Sequence, residues 1–246
     1  MVVWSRVWRK AVLPSILTVA SACATVASRA LASDFGQQPL GARIAVYAGG
    51  VITLCIGFLA VTSGVTAIRE RTKTDAYTIL LVALAKIVDM TGVDASDIGL
   101  SAFWVKRSVW RPWRKRQNRL TGVRLSTNFP PLIGWDWSKG VVGRCWKEKH
   151  NRVAFVRSDA PYLNCSKSEW DKASEEERWG MSFQEWTDTQ RYALILAYPV
   201  QAGERYKGCV SLDATRDEHV QNLYSEPVWA LLGDAATAME KSLGGA

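Results

Sequence analysis

An uncharged run of 25 residues, 44–68, constrains the fold of this chain more than any other feature. Arg43 precedes the run, and Arg69, Arg71 and Lys73 follow it. At about 1.5 Å per residue, a helix over this run measures about 37 Å, which is enough to cross the core of a bilayer with some tilt. The sequence therefore predicts a transmembrane helix over 44–68 and a chain anchored in a membrane.

A second apolar run, 11–28, has two interpretations. In the first, residues 11–31 form another transmembrane helix, and a short polar link joins it to 44–68 as a hairpin. Trp4 and Trp8, just before the run, suit a membrane interface and favour this hairpin. In the second, the basic start, the apolar middle and the small residues 30–32 form a secretory signal with a cleavage site.

The distribution of charge predicts an orientation for either arrangement. Basic residues flank the outer ends of both apolar runs, and the positive-inside rule places such flanks in the cytoplasm. We therefore expect a basic cytoplasmic N-terminus over 1–10 and a cytoplasmic domain over 74–246. That domain is long enough to bury a core of its own. The predicted location is the cell membrane, crossed twice.

Cysteine and histidine usage excludes several site classes. Three of the five cysteines (Cys145, Cys165 and Cys209) lie in the predicted domain, and no pair has the spacing of a CxxC motif. His150 and His219 are far apart in sequence. Neither a disulfide framework nor a zinc site is indicated, and no cofactor is predicted.

The segment 106–119 carries seven basic residues and no acidic one, interleaved with tryptophan. Such a composition suits the headgroups of an anionic inner leaflet, where each charge contributes about 1 kcal/mol. It also suits nucleic-acid phosphates with base stacking, which we consider the weaker interpretation, and it is compatible with a solvated hairpin. We predict contact with membrane lipid through Arg111, Trp113, Arg114, Lys115 and Arg116.

Hydrophobic periodicity predicts helices over 74–90 and 227–243. Strands are predicted at 98–105, 120–126, 152–156, 192–200 and 207–214, the last two forming a hairpin that turns at 202–205. Glycines three residues apart within 135–146 predict a turn into a short helix, either for close backbone approach or for a ligand at the helix N-terminus. Ser174 and the three acidic residues after it predict the capped start of a further helix.

At this point the chain resembles the GAF family. The motifs on which the resemblance rests are SKGVVG (138–143), LAYPV (196–200) and YKGCVSLD (206–213). The resemblance covers roughly 74–243. It implies an α+β fold in which an antiparallel sheet has the first and last helices packed on one face. It also implies a ligand pocket on the opposite face, beneath residues 127–190.

Aromatic side chains are abundant in that segment, with a few polar groups among them. This composition is typical of a small-molecule site and equally of a well-packed cover over an apolar core. Bilin-binding members of the family attach their chromophore through a cysteine beside a histidine, which neither Cys145 nor Cys165 has. The predicted ligand-binding residues are Trp135, Trp137, Arg144, Trp146, Asp159 and Tyr162.

The resulting hypothesis is a membrane-anchored cytoplasmic sensor that binds an unknown small molecule. It would relay binding through 74–90 to the membrane helices, as a homodimer or through a separate effector protein. The alternative is a ligand-free scaffold that docks a partner protein at the membrane. An enzyme is not predicted: free-methionine-sulfoxide reductases of the family use pocket cysteines, but Cys145 lies two residues after Gly143, where the family pattern places a cysteine immediately before that glycine.

Overall fold

The computed structural model describes residues 40–107, 115–125, 135–160 and 162–244. The chain divides into two compact units, of which Lys73–Gly244 is one and Met1–Thr72 with Gly245–Ala246 is the other. The sheet and the residues that pack on it belong to Lys73–Gly244. The predicted segments 1–10 and 11–31 lie outside the described residues.

The first described element is a single helix, α1, over Leu40–Thr91. The helix predicted over 74–90 lies within α1, which continues through Thr74 because no glycine or proline occurs between Gly64 and Gly92 to break it. At Gly92, whose φ is +68°, the N–H donates to the carbonyl of Val88 at 2.9 Å and ends the helix. Residues 44–68 lie within α1. Over the part of the chain that the structure describes, no helix is long and apolar enough to span a membrane.

Five strands follow and form one antiparallel sheet in the order β2-β1-β5-β4-β3. The sequence predicted all five, although β1 and β2 extend further into the basic segment, where Lys106 pairs with Arg116. The predicted turn between the last two strands is confirmed at Gly203, whose φ is +60°. The strands are β1 (Ile98–Arg107), β2 (Lys115–Arg124), β3 (Val153–Val156), β4 (Leu194–Ala202) and β5 (Arg205–Ala214).

Five further helices complete this unit. Three of them follow β2 in the chain: α2 (Gly140–Glu148), α3 (Lys167–Lys172) and α4 (Phe183–Thr189). Two more follow β5: α5 (Val220–Leu223) and α6 (Glu226–Gly244). Short 3-10 turns occupy Arg157–Asp159 and Asp217–His219.

The two faces of the sheet are covered differently. On one face, the strands pack against α1 and α6 in a cluster that includes Leu80, Ile87, Leu212, Leu232 and Met239. The other face is covered by α2 and by the aromatic residues between β3 and β4. This is the α+β arrangement that the resemblance to GAF domains implies, and it leaves the second face for a site.

Candidate functional site

A cavity of about 30 Å³ lies on the sheet face opposite α1 and α6. Its floor is polar where β1 and β5 pair, since Ser101 and Ser211 face each other in register and Asp213 lies two residues further along. These three residues are 5%, 3% and 7% exposed. Val141 and Trp135 contribute to its apolar wall. Buried hydroxyl and carboxylate groups cost free energy in an apolar core, so this floor indicates a site.

Arg124 of β2 reaches across β1 to form an ion pair with Asp213 of β5. Gly99 lies between them, in register with both, and leaves the guanidinium room to cross: a Cβ on Gly99 would lie 2.7 Å from Nη2 of Arg124. The two charged side chains are 6% and 10% exposed. Burial lowers the pKa of Arg124, and the nearby Arg119 lowers it further. The pair therefore neutralises Asp213 within the wall of the cavity.

Arg119 also lines the cavity, and its guanidinium has no such neutralising group. It lies over the ring of Phe103, 5.5 Å from the centroid, and its buried Nε has no hydrogen-bond partner among the described residues. Burial lowers its pKa, and the nearby Tyr192 phenol raises it. The segments 108–114 and 126–134 contain no acidic residue. The cavity thus has two guanidinium groups and one carboxylate around it.

A β-bulge explains why Arg119 and Arg124 share one face. Residues five apart in a regular strand point to opposite faces. The register between β1 and β2 shifts at Ala102/Phe103, where Ala102 pairs with Thr121 and Phe103 with Arg119. The shift places Leu120 on the other face, in the core beneath α1, and returns both arginines to the cavity side.

Beside the cavity lies a buried hydrogen-bonded group centred on Gln117, which is 1% exposed. Its Nε2 donates to the Tyr206 hydroxyl at 2.8 Å and to Cys209 Sγ at 3.3 Å. Cys145 Sγ donates to the carbonyl of Asn151 at 3.9 Å, and the neighbouring Cys209 thiol, together with burial, raises the pKa of the Cys145 thiol. Both thiols are fully buried. A thiol in this setting stays protonated and is a poor nucleophile.

Aromatic side chains fill the space above the sheet next to the cavity. Trp170 and Trp186 stack with their ring centroids 4.9 Å apart, and Phe155 meets the edge of Trp186 at 5.8 Å. Trp186 Nε1 donates to the carbonyl of Tyr162 at 3.1 Å. This packing leaves no volume here for a ligand of drug size, which needs about 300 Å³ or more.

Three reciprocal serine–glutamate caps, eight residues apart, organise this covering segment. In each, the serine N–H donates to the glutamate carboxylate at 2.8–2.9 Å and the glutamate N–H donates to the serine hydroxyl at 3.3 Å. Two of them begin α3 and α4. The third forms as predicted, but residues 175–180 make turns and not the predicted helix, since Trp179 and Gly180 both adopt positive φ. The pairs are Ser166/Glu169, Ser174/Glu177 and Ser182/Glu185.

The glycines of the SKGVVG motif allow close backbone approach, which was one of the two predicted reasons for them. A Cβ on Gly143 would lie 2.3 Å from the carbonyl oxygen of Asp136, and one on Gly140 would lie 2.5 Å from the Trp135 ring. Gly140 N–H also donates to the carbonyl of Trp179 at 2.7 Å. The motif therefore fixes the Trp135 ring in the cavity wall.

The structure places one of the six predicted ligand-binding residues, Trp135, at the cavity. Trp137 is 57% exposed, and Trp146 stacks on Tyr206 with 6.3 Å between ring centroids. Arg144 covers the ring of Trp179 at 3.9 Å.

The other two predicted residues also lie away from the cavity lining. Asp159 accepts a hydrogen bond from the Ser158 hydroxyl at 3.0 Å. Tyr162 meets the edge of Trp170, with 5.9 Å between ring centroids. A direct role for these residues in ligand binding stays a prediction.

The predicted membrane-surface group falls largely outside the described residues, since Arg111, Trp113 and Arg114 lie in 108–114. Lys115 begins β2 with an exposed side chain, and Arg116 follows it in the strand. No group of three histidine, cysteine, aspartate or glutamate side chains that could hold a metal ion occurs in the described ranges.

Sequence reasoning missed the polar floor and Arg119 as parts of a site. Ser101 and Ser211 interrupt otherwise apolar strands, which was a usable signal, and Asp213 closes the motif YKGCVSLD. Arg119 and Arg124 carried no such signal, because the bulge that brings them together depends on strand pairing.

No protein-family profile matches the chain, and no curated protein is similar to it. Several solved structures are similar to part of the chain at low sequence identity. A type II free methionine-R-sulfoxide reductase from Thermoplasma acidophilum is 11% identical, over 70% of this chain and 94% of that one, with a TM-score of 0.44. The GAF domain of an Acinetobacter phosphoenolpyruvate-protein phosphotransferase is 14% identical, over 67% and 92%, with a TM-score of 0.38. The chromophore-binding domain of a bacteriophytochrome from R. palustris is 12% identical, over 73% and 60%, with a TM-score of 0.38. Similarity this low carries no conclusion about ligand or activity.

Proposed function

We propose that this chain is a sensory module that binds a small molecule at the cavity between the sheet and its aromatic cover. One observation carries the proposal: Ser101, Ser211 and Asp213 form a buried polar floor in a cavity whose cover is largely aromatic and aliphatic. Binding sites commonly contain buried polar groups that the packing of the fold does not require.

A non-enzymatic role is part of this proposal. Covalent catalysis requires a nucleophile with a lowered pKa or an adjacent base. The Cys145 thiol has a raised pKa, and its neighbours are a second thiol, a phenol and an amide. Burial likewise raises the pKa of Cys165. These features argue against the reductase alternative.

Native mass spectrometry of the full chain, purified from its own cells, tests the binding proposal. The expected result is a reproducible added mass below about 1 kDa that disappears on unfolding, because a cavity ligand is held by the folded state alone. The same preparation, unfolded and refolded in ligand-free buffer, is the control. A bare protein mass in every preparation would refute the proposal.

A second candidate function, a ligand-free scaffold, is favoured by a different observation. The cavity has room for only about two water molecules, and stacked rings fill the space beside it. A domain of this kind could dock a partner protein, either a second copy or a separate effector. Cross-linking in cells, followed by identification of the linked protein, tests it. A bare mass together with a specific cross-linked partner would replace the sensor with the scaffold.

We also propose that the module acts at the cytoplasmic surface of the cell membrane, through two apolar spans and the basic hairpin. The apolar runs 11–28 and 44–68 and the charge of 106–119 support this. Replacing Arg114, Lys115 and Arg116 by serine should weaken binding to vesicles with anionic lipid, because each charge contributes about 1 kcal/mol.

The matched control removes three exposed charges elsewhere, with Lys172, Arg205 and Lys241 replaced by serine. Equal losses of vesicle binding in the two variants would mean that binding depends on the net charge of the protein and not on the basic hairpin. Unchanged binding of the hairpin variant would contradict the lipid proposal.

A further inference from the structure

We infer that the ligand of this module carries a carboxylate group, and that Arg119 binds that group in the cavity. The inference rests on the proposed function and names the chemistry of its ligand. It depends on three features: a guanidinium whose Nε has no hydrogen-bond partner among the described residues, serine hydroxyl groups in the same cavity lining, and the size of the cavity.

The charge around the cavity is unbalanced. Asp213 is engaged by Arg124, so the one carboxylate in the wall is neutralised by a guanidinium from outside the lining. Arg119 has the Phe103 ring beneath it, and its buried Nε has no hydrogen-bond partner among the described residues. An arginine that is largely removed from water without a counter-ion is costly, and an anion in the cavity would offset that cost.

Hydrogen-bond donors accompany the charge. Ser101 and Ser211 are almost completely buried at the floor and present hydroxyl groups, which can donate. Thr189 also lines the cavity, but its hydroxyl already donates to the carbonyl of Trp186 at 2.7 Å. A guanidinium with two serine hydroxyls matches the two oxygens of a carboxylate.

The volume favours a carboxylate over a phosphate. About 30 Å³ corresponds to roughly two water molecules, which is the space that two carboxylate oxygens need. The four oxygens of a phosphate do not fit unless the wall moves. The apolar residues Trp135, Val141 and Ile195 line the same cavity, so a hydrocarbon substituent next to the carboxylate would contact them once the wall moves to admit it.

The test uses the full chain and five probes at constant ionic strength. Two are the carboxylates acetate and propionate, two are their neutral amides acetamide and propionamide, and the fifth is inorganic phosphate. Binding is measured by the rise in unfolding temperature and by tryptophan fluorescence, to which Trp135 contributes. Acetate and propionate should bind at least about tenfold more tightly than their amides, a difference of about 1.4 kcal/mol. Stronger binding of phosphate than of acetate would overturn the choice of carboxylate.

Arg119→Met tests the residue. The carboxylate affinity should fall by about tenfold or more, while the ligand-free unfolding temperature should not fall, because an unpaired buried charge has been removed. A purely structural arginine would show the opposite pattern. Arg205→Met, at an exposed position in the β4–β5 turn, is the control and should leave both quantities unchanged.

The outcomes distinguish failure of the carboxylate inference from failure of the sensor proposal on which it rests. A ligand found by native mass spectrometry that still binds Arg119→Met would overturn the inference and leave the sensor proposal intact. Equal binding of acids and amides to the wild-type chain, together with a ligand found by native mass spectrometry, would also overturn the inference and leave the sensor proposal intact. No ligand and no binding of any probe would overturn both.

Discussion

Substitution of Asp213 by asparagine should destabilise the chain more than substitution of its ion-pair partner Arg124 by methionine. Asp213 and Arg124 are 10% and 6% exposed, so breaking the pair leaves a charge that water reaches poorly. Removing one partner of such a buried pair costs about 3–5 kcal/mol. For a unit of this size, each kcal/mol lowers the unfolding temperature by about 2–4 °C, which gives a fall of about 6–20 °C for Asp213→Asn.

Arg124→Met should cost less, and the reason lies in Arg119. Asp213→Asn leaves two guanidinium groups without a carboxylate at the cavity, whereas without Arg124 the Asp213 carboxylate becomes free to pair with Arg119 in the same lining. A partly exposed pair of this kind contributes up to about 1 kcal/mol, and we expect the two variants to differ by about that amount.

Urea unfolding followed by tryptophan fluorescence measures both variants, provided that the dependence on urea is unchanged. The double variant Asp213→Asn/Arg119→Met is the internal check, since it removes one of the two uncompensated charges and should recover part of the loss. A cost below about 1 kcal/mol for Asp213→Asn, or a larger cost for Arg124→Met, would refute the assignment of charges around the cavity.

Three other predictions concern separate parts of the site. Gly99→Ala places a methyl group 2.7 Å from the Arg124 guanidinium and should cost about 1–3 kcal/mol in urea unfolding; a neutral result would mean that the ion pair reorganises freely. Hydrogen bonds from Ser174 lower the pKa of Glu177, so their contribution should be complete above the ordinary glutamate pKa of 4.5 and be lost as the pH falls through the lower folded value. Ser174→Ala should therefore flatten the acid limb of a stability–pH curve, and identical curves would contradict this. The Cys145 thiol should resist iodoacetamide in the folded chain and react after unfolding, as mass spectrometry of digested peptides would show; rapid labelling of folded protein would count against its burial.

Local sequence patterns were sufficient to predict the order of the elements. Strand alternation and the turn residue Gly203 predicted the β4–β5 hairpin, and the apolar stripe of the last helix predicted α6 with boundaries that differ by one residue at each end. The start predicted at Thr74 failed for a physical reason. A residue suited to an N-cap does not begin a helix where the preceding turn is already helical, since no N–H group there lacks a partner.

The candidate site was harder to predict because it depends on how strands pair. Trp135 was identified from its aromatic character beside a glycine-rich turn. Arg144 was predicted as a ligand-binding residue from the same turn, yet its guanidinium lies on the ring of Trp179. Arg119 and Arg124 meet on one face only because of the bulge, and a bulge is set by the register between two strands, which local sequence does not encode.

The bridge between Gln117 and Trp135 links the cavity wall to the outer edge of the sheet. β2 is an edge strand, and an exposed strand edge can pair with another chain and nucleate aggregation. Trp135 covers part of that edge through its bridge to Gln117. Any displacement of Trp135 to admit a larger ligand would uncover unpaired backbone at Gln117, so access to the cavity and protection against self-association depend on the same residue.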